Sequence, residues 1–228
     1  MASSAGIHEA LRKFDAFFAA SDVDTRVRLQ KALDVIHRAI DIFGLEGVCF
    51  SFNGGKDSTV VLHLLRIVIA KRVLQDETLA IVAEKEQSSA TTTVTSPRQN
   101  FGVKDMLDKL KIKGIYMGVR GGDPHTENME HFDPSSPGWP AFLRVNPILK
   151  WTYEDVWDFL RQCDLEYCGL YDHGYTSLGN IYDTVQNPAL WVKGENGAEG
   201  HYLPAYALKD GHSERCGRQK RAHTSSKQ

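Results

Sequence analysis

The chain has 228 residues, 42% hydrophobic and 25% charged, with 27 basic against 29 acidic side chains and a formal net charge of −2. That length suits one domain with a small appendage. The charge balance argues against a surface built for nucleic acid or an anionic membrane, and no run approaches the roughly 20 apolar residues of a membrane span.

In chain order, residues 7–43 predict a helix. Leu29, Leu33, Ile36, Ile40 and Phe43 recur at helical steps to make one apolar stripe, and Gly44 stops it. The run "GVCFSF" (47–52) alternates too little for a half-exposed strand and predicts one buried on both faces, as in a parallel sheet. Asp57 suits the start of the next helix, because a carboxylate is favoured at a helix N-terminus. That helix carries Val60, Val61, Leu64, Leu65 and Val68. From Lys56 to Ser96 there is neither Gly nor Pro, so "KRVLQDETLAIVAEKEQ" either continues the helix or contains a strand, "LAIVA" (79–83). A second run, "TTTVT" (91–95), follows after only seven residues. A parallel crossover takes about ten or more, so the two would pair only as a hairpin. "SSATTTVTSPRQN" is low in complexity and reads as a candidate disordered stretch.

Further on, "NFGVKDMLDKLKIKG" predicts an amphipathic helix ending near Gly114, and "IYMGV" (115–119) a second buried strand. Residues 120–140, "RGGDPHTENMEHFDPSSPGWP", form a long loop of the kind that is usually functional or mobile. "TYEDVWDFLRQCD" is a helix with a capping box of Thr152 and Asp155, and Tyr153, Trp157 and Leu160 share one face. Trp139, Trp151, Trp157 and Tyr153 read as core residues. Short turns around "YTSLGN" and a basic tail from Arg215 complete the chain. Cys49, Cys163, Cys168 and Cys216 lack zinc-like spacing, and His125, His131 and His173 lack metal-like partners. Reduced thiols, with no apolar signal core in "MASSAGIHEALRKF", predict a cytoplasmic protein.

The stretch "VCFSFNGGKDSTVVLHLL" carries the chemistry. It is neither a Walker A loop, since Gly54 and Gly55 are adjacent and Asp57 follows Lys56, nor G-x-G-x-x-G. It still runs strand, glycine turn, helix. Amides at Gly54, Gly55 and the helix N-terminus would converge on an anion. Lys56 would add a point charge, and Ser51 and Ser58 would add hydroxyls. Asp57 makes sense beside Mg²⁺ bound to phosphate. A plain glycine turn with a capping Asp is the alternative.

The S-F-N-G-G-K-D-S stretch resembles the PP-loop of the adenosine nucleotide α-hydrolase-like superfamily. Four further blocks, "YMGVRGGDP" (116–124), "SSPGWPAFLRVNPILKWTYEDVWDFL" (135–160), "YCGLYDHGYTSLGN" (167–180) and "YLPAYALKDGHSERCGR" (202–218), resemble the eukaryotic FAD synthetase (FMN adenylyltransferase) family. The resemblance implies a Rossmann-like α/β fold with a parallel sheet, helices on both faces, and "GVCFSF" and "IYMGV" as central strands. It implies a helical extension over 1–45, a PP-loop domain over 46–218 that is atypical at 71–100, and a basic tail over 219–228. The implied reaction transfers AMP from ATP to FMN, giving FAD and pyrophosphate, with Mg²⁺. Ser51, Phe52, Asn53, Gly54, Gly55, Lys56, Asp57 and Ser58 would bind the nucleotide, with Asn53 and Asp57 at the metal. Asp123 would contact flavin, Arg215 and Arg218 would bind FMN, and Asp57, Arg215 and Arg218 would act in catalysis. Such a protein has small-molecule substrates and neither a nucleic-acid nor a membrane partner; its oligomeric state stays open. Two departures are visible. Residues 71–100 lack the family's Phe-Glu-Ser-Pro unit, and Cys216 stands where the family has a small residue in E-R-x-G-R. The alternatives are a catalytically impaired isoform and a phosphoadenylyl sulfate reductase using Cys216.

Overall fold

The computed structural model describes residues 4–75, 100–194 and 199–218. The single helix expected over 7–43 is two, α1 (Ser4–Ala20) and α2 (Val23–Phe43). The break is chemical. Ser21 folds its hydroxyl back onto Phe17 O at 2.7 Å, and the extended Asp22 accepts the Thr25 amide at 2.9 Å as an N-cap. The apolar stripe holds. Leu29, Leu33, Ile36 and Ile40 are buried, and Gly44 closes α2 at φ +73° with its N–H on Ile40 O.

β1 (Val48–Phe50) leads through the glycine turn into α3 (Lys56–Gln75). α4 (Asn100–Leu110) ends before Gly114 because Lys111 turns to φ +54° and Ile112 N–H returns to Leu107 O. β2 (Gly114–Tyr116) is fully buried. β3 (Phe132–Pro134) and β4 (Leu143–Val145) follow, then α5 (Tyr153–Gln162). The sheet order is β1-β2-β4-β3, parallel from β1 to β4, with β3 antiparallel on the edge. β1 has one neighbour, β2, among the described residues, and its residues are half-buried. One strand expectation changes. β3 lies inside the segment read as loop; three residues ending in Asp-Pro carry no period to betray a strand. The proposed "LAIVA" and "TTTVT" strands and the disordered stretch fall at 79–83, 91–95 and 88–100, essentially outside the described residues.

Helices cover both faces of the sheet. Tyr116 of β2 belongs to the main core with Phe14, Ile36, Val60, Leu64 and Phe159, whereas its neighbour Ile115 packs with Leu107 and Ile112 on the other side. α1, α2 and α5 pack against α3, so α1 and α2 share one core with the sheet domain. The Thr152–Asp155 capping box forms in both directions, at 3.1 and 2.7 Å. Tyr153, Trp151 and Trp157 are buried as expected, but Trp139 is exposed, held in a turn by its N–H on Ser136 O. No helix among the described residues is long and apolar enough to cross a membrane.

The segment that follows β2 must pass hard against the start of α3. A Cβ at Gly118 would lie 2.6 Å from Ser58 N and 2.8 Å from Asp57 C, both backbone atoms that cannot swing aside. Gly118→Ala should therefore cost about 1–3 kcal/mol of stability in urea denaturation. Gly122→Ala, with nothing within 4 Å of its added carbon, should be neutral in the same measurement.

Candidate active site

The glycine turn is shaped from within. Asn53 Oδ1 accepts the Gly55 N–H at 2.9 Å and lies 2.8 Å from the Ser58 hydroxyl. Gly54 takes φ +74°, which only glycine adopts freely. Ser51, Phe52 and Asn53 are exposed at the carboxyl end of β1, as a ligand-facing loop should be. Ser58 points inward, with its hydroxyl also 2.8 Å from Gly55 O.

Lys56 departs most from expectation. Instead of reaching out toward phosphate it is 1% exposed. Its N–H donates to the Tyr171 hydroxyl at 2.9 Å, and its ammonium sits 5.2 and 5.9 Å from the Tyr153 and Tyr171 ring centres. Two carboxylates balance its charge, Asp57 at 3.1 Å and Glu214. A lysine in a glycine loop reads as a phosphate ligand because sequence does not show which way a helix-start side chain points.

Arg120 and Glu214 are the site residues that sequence reading missed. Arg120 donates its Nε to Asp57 at 2.5 Å, its Nη2 to Glu214, and its backbone N–H to Asp123 at 3.0 Å. Asp123 in turn accepts Arg215 Nη1 at 3.0 Å. One chain of contacts thus joins the glycine turn, residues 120–123 and the last described turn. The signal was available, since Arg120 stands inside G-x-R-x-x-D-P and Glu214 opens E-R-x-G-R. Burial pushes the Asp57 carboxyl upward, but Lys56 and Arg120 outweigh it and hold it below the usual carboxylate range. For Arg120, burial favours proton loss, and Asp57 and Glu214 reverse that, raising its affinity for the proton.

The turn from Gly211 to Arg218 is docked rather than solvated. Asn187, wholly buried, donates to Thr176 Oγ1 at 2.9 Å and Ser213 O at 2.8 Å, and Thr176 Oγ1 donates to Glu214 O at 2.6 Å. Val185 N–H bonds Gly217 O at 2.9 Å, and Thr184 bridges to Arg218. Arg218 lies across Gly179, where any Cβ would fall 1.5 Å from its Nη1. It donates Nε to Ser177 Oγ at 3.1 Å and Nη2 to Leu178 O. Both acceptors are neutral, and among the described residues Arg218 has no ion pair. Burial, and then Arg215, lower its proton affinity. Cys216 is exposed in the same turn.

The residues named for a metal do not fit one as they stand. Asn53 Oδ1 already serves two donors, and each Asp57 oxygen faces a cation. A divalent ion there would meet Lys56 and Arg120 at close range. No group of three or more His, Cys, Asp or Glu among the described residues could hold a metal. Beside the turn, a cleft of about 660 Å³ opens between α1, α3 and residues 163–168, with Phe52, Gly54 and His63 in its wall.

The sequence model of the "Phosphoadenosine phosphosulfate reductase domain" matches residues 76–186. The probable FAD synthase of Schizosaccharomyces pombe is 32% identical over 242 residues, covering 93% of this chain and 87% of that protein. The probable FAD synthase of Caenorhabditis elegans is 37% identical over 209 residues, covering 84% of this chain but 40% of the relative. The chain thus spans about two-fifths of the length of its nematode relatives. Among solved structures, Candida glabrata FMN adenylyltransferase in complex with FMN and the ATP analogue AMPCPP superposes with a TM-score of 0.78 at 20% identity, over 95% of this chain and 97% of that one. This likeness confirms the fold class.

The lowered Asp57 carboxyl makes a signed prediction. A carboxyl depressed in the folded state stabilises above its unfolded value, about 3.9, and that contribution is lost as pH falls through the folded value. Wild type should exceed Asp57→Asn in urea midpoint at pH 7, and the gap should shrink steadily as the pH is lowered below 4. A gap independent of pH would mean that the Asp57 charge contributes nothing to the network.

Proposed function

The chain belongs to the FAD synthase family, and we propose that it transfers the adenylyl group of ATP to FMN, releasing pyrophosphate and FAD. The observation that carries this reading is the juxtaposition built by Arg120. The glycine turn, Asp123 and Arg215 meet around one buried ionic chain, with Arg218 three residues beyond Arg215 on Ser177.

In this reading the phosphates of ATP lie against the exposed glycine turn and the first turn of α3, where amides and the helix dipole favour anions. Arg215 and Arg218 take the FMN phosphate, since a planar guanidinium forks onto phosphate oxygens. An FMN phosphate oxygen attacks the α-phosphorus of ATP, the bond to the bridging oxygen breaks, and pyrophosphate leaves with that electron pair. No protein nucleophile is needed, because such transfers run on positioning and charge neutralisation. Asp123, held by Arg120 and Arg215, faces the flavin side. Asp57 aims Arg120 and balances Lys56. Magnesium enters with ATP in the assay, but Asn53 and Asp57 as arranged do not make its cage. Residues 46–218 form the catalytic unit in this reading, and the 1–45 extension contributes α1 and α2, which pack on it. The unpaired thiols of Cys49, Cys163, Cys168 and Cys216 suit a cytoplasmic enzyme.

The test is direct. Protein mixed with FMN and magnesium-ATP should yield FAD and pyrophosphate, resolved by chromatography. If neither product forms, the proposed reaction is wrong for this chain. In an active protein, Arg218→Lys should lower kcat/KM by about 10²-fold, because lysine keeps the charge but not the fork. Arg12→Lys, an exposed partner of Glu9 on α1, should change nothing measurable in the same assay.

A further inference from the structure

We propose that Lys56 and Glu214 form a buried strut through which the C-terminal turn sets the position of the glycine turn. Both are then positioning residues for the transfer, not ligands of either substrate. The inference rests on the adenylyl-transfer reading for what is positioned, but the strut itself stands on geometry.

Lys56 leads α3 and immediately precedes Asp57; Glu214 immediately precedes Arg215. The two groups are 158 residues apart in sequence and meet at a buried ion pair. Each end is locked. Lys56 is fixed by its N–H on Tyr171 and by the faces of Tyr153 and Tyr171. Glu214 is fixed by Thr176 on its carbonyl, and Thr176 by the buried Asn187. The carboxylate of Glu214 is shared between Lys56 and Arg120, so it also fixes the residue that grips Asp57 and Asp123. At 1% exposure the ammonium cannot meet a phosphate without unpacking two tyrosines and abandoning both carboxylates. What it can do is hold constant the distance between the ATP-facing turn and the FMN-facing arginines. A misplacement of about 1 Å between reacting groups costs on the order of 10² in rate.

A double-mutant cycle on the full chain tests this. Lys56→Met and Glu214→Gln should each lower kcat by about 10²-fold, with KM for ATP within about twofold of wild type. The double variant should be no slower than the worse single, because both remove one strut. Each single variant leaves a buried charge unbalanced and is expected to be unstable. The double variant removes one charge of each sign and keeps Arg120 on Asp57, so its Tm should recover toward wild type while its kcat stays low. A merely structural pair would recover both together. If the singles do not fold, the double variant against wild type decides alone. Amide hydrogen exchange without ligands gives a readout independent of activity. The double variant should exchange faster than wild type in peptides from both 51–58 and 211–218. A tenfold or greater rise in KM for ATP at unchanged kcat in Lys56→Met would make Lys56 a phosphate ligand and overturn the strut. So would multiplicative single effects, wild-type kcat in the double variant, or unchanged exchange at both ends. Absence of FAD with wild-type protein would sink the reaction and leave the exchange experiment to judge the strut.

Discussion

Two cations and two carboxylates share one buried place, and the rest of the site depends on their neutrality. Lys56 and Arg120 are nearly inaccessible, and neither could be dehydrated alone. Asp57 and Glu214 balance them, each carboxylate reaching both cations. The four residues come from three separate stretches of chain. Replacing such a cluster wholesale with packed apolar groups is often harmless to stability, whereas removing one member is not. Its value is therefore better sought in what it positions: Arg215, beside the buried Glu214, is exposed.

The fold delivers these stretches to one place. β1 and β2 are parallel neighbours, so the turns after their carboxyl ends emerge side by side. Gly118 lets the second of these turns touch the first turn of α3, which brings Arg120 within reach of Asp57. α5 supplies Tyr153 and Trp157, which with Tyr171 wall off the Lys56 side chain, the indole lying edge-on to both tyrosines. The turn from Gly211 to Gly217 then supplies Glu214. The start of α3, the turn after β2 and the C-terminal turn are thus joined by charge.

Much of this was legible in the sequence. The stripe of α2, the capping box of α5, the apolar α3 and the glycine turn all rest on local periodicity or local chemistry. The break at Ser21 and Asp22 was legible too, as an Asp three residues ahead of Thr25, but a continuing apolar stripe masked it. The short strand β3 was not, since three residues ending in Asp-Pro carry no period of their own and take strand form only against β4. The outward-pointing lysine was a local inference about a non-local fact. Nothing near Lys56 says that Glu214 waits for it. The arginine pair was named from its motif, but only the geometry separates Arg215, paired with Asp123, from Arg218, resting on neutral oxygens above Gly179.

The late position of Glu214 bears on how such a chain folds. A ribosome releases Lys56, Asp57 and Arg120 long before it makes residue 214. Until then two cations share one carboxylate in a place that water would have to leave. The glycine turn and α3 can form early from local contacts, but the charge balance closes only with a contact of very long range, a slow step by loop entropy. Folding of the core should therefore run ahead of assembly of the site. A nascent chain stalled before residue 214 would keep that pocket hydrated, with its helices in place and its chemistry not yet built.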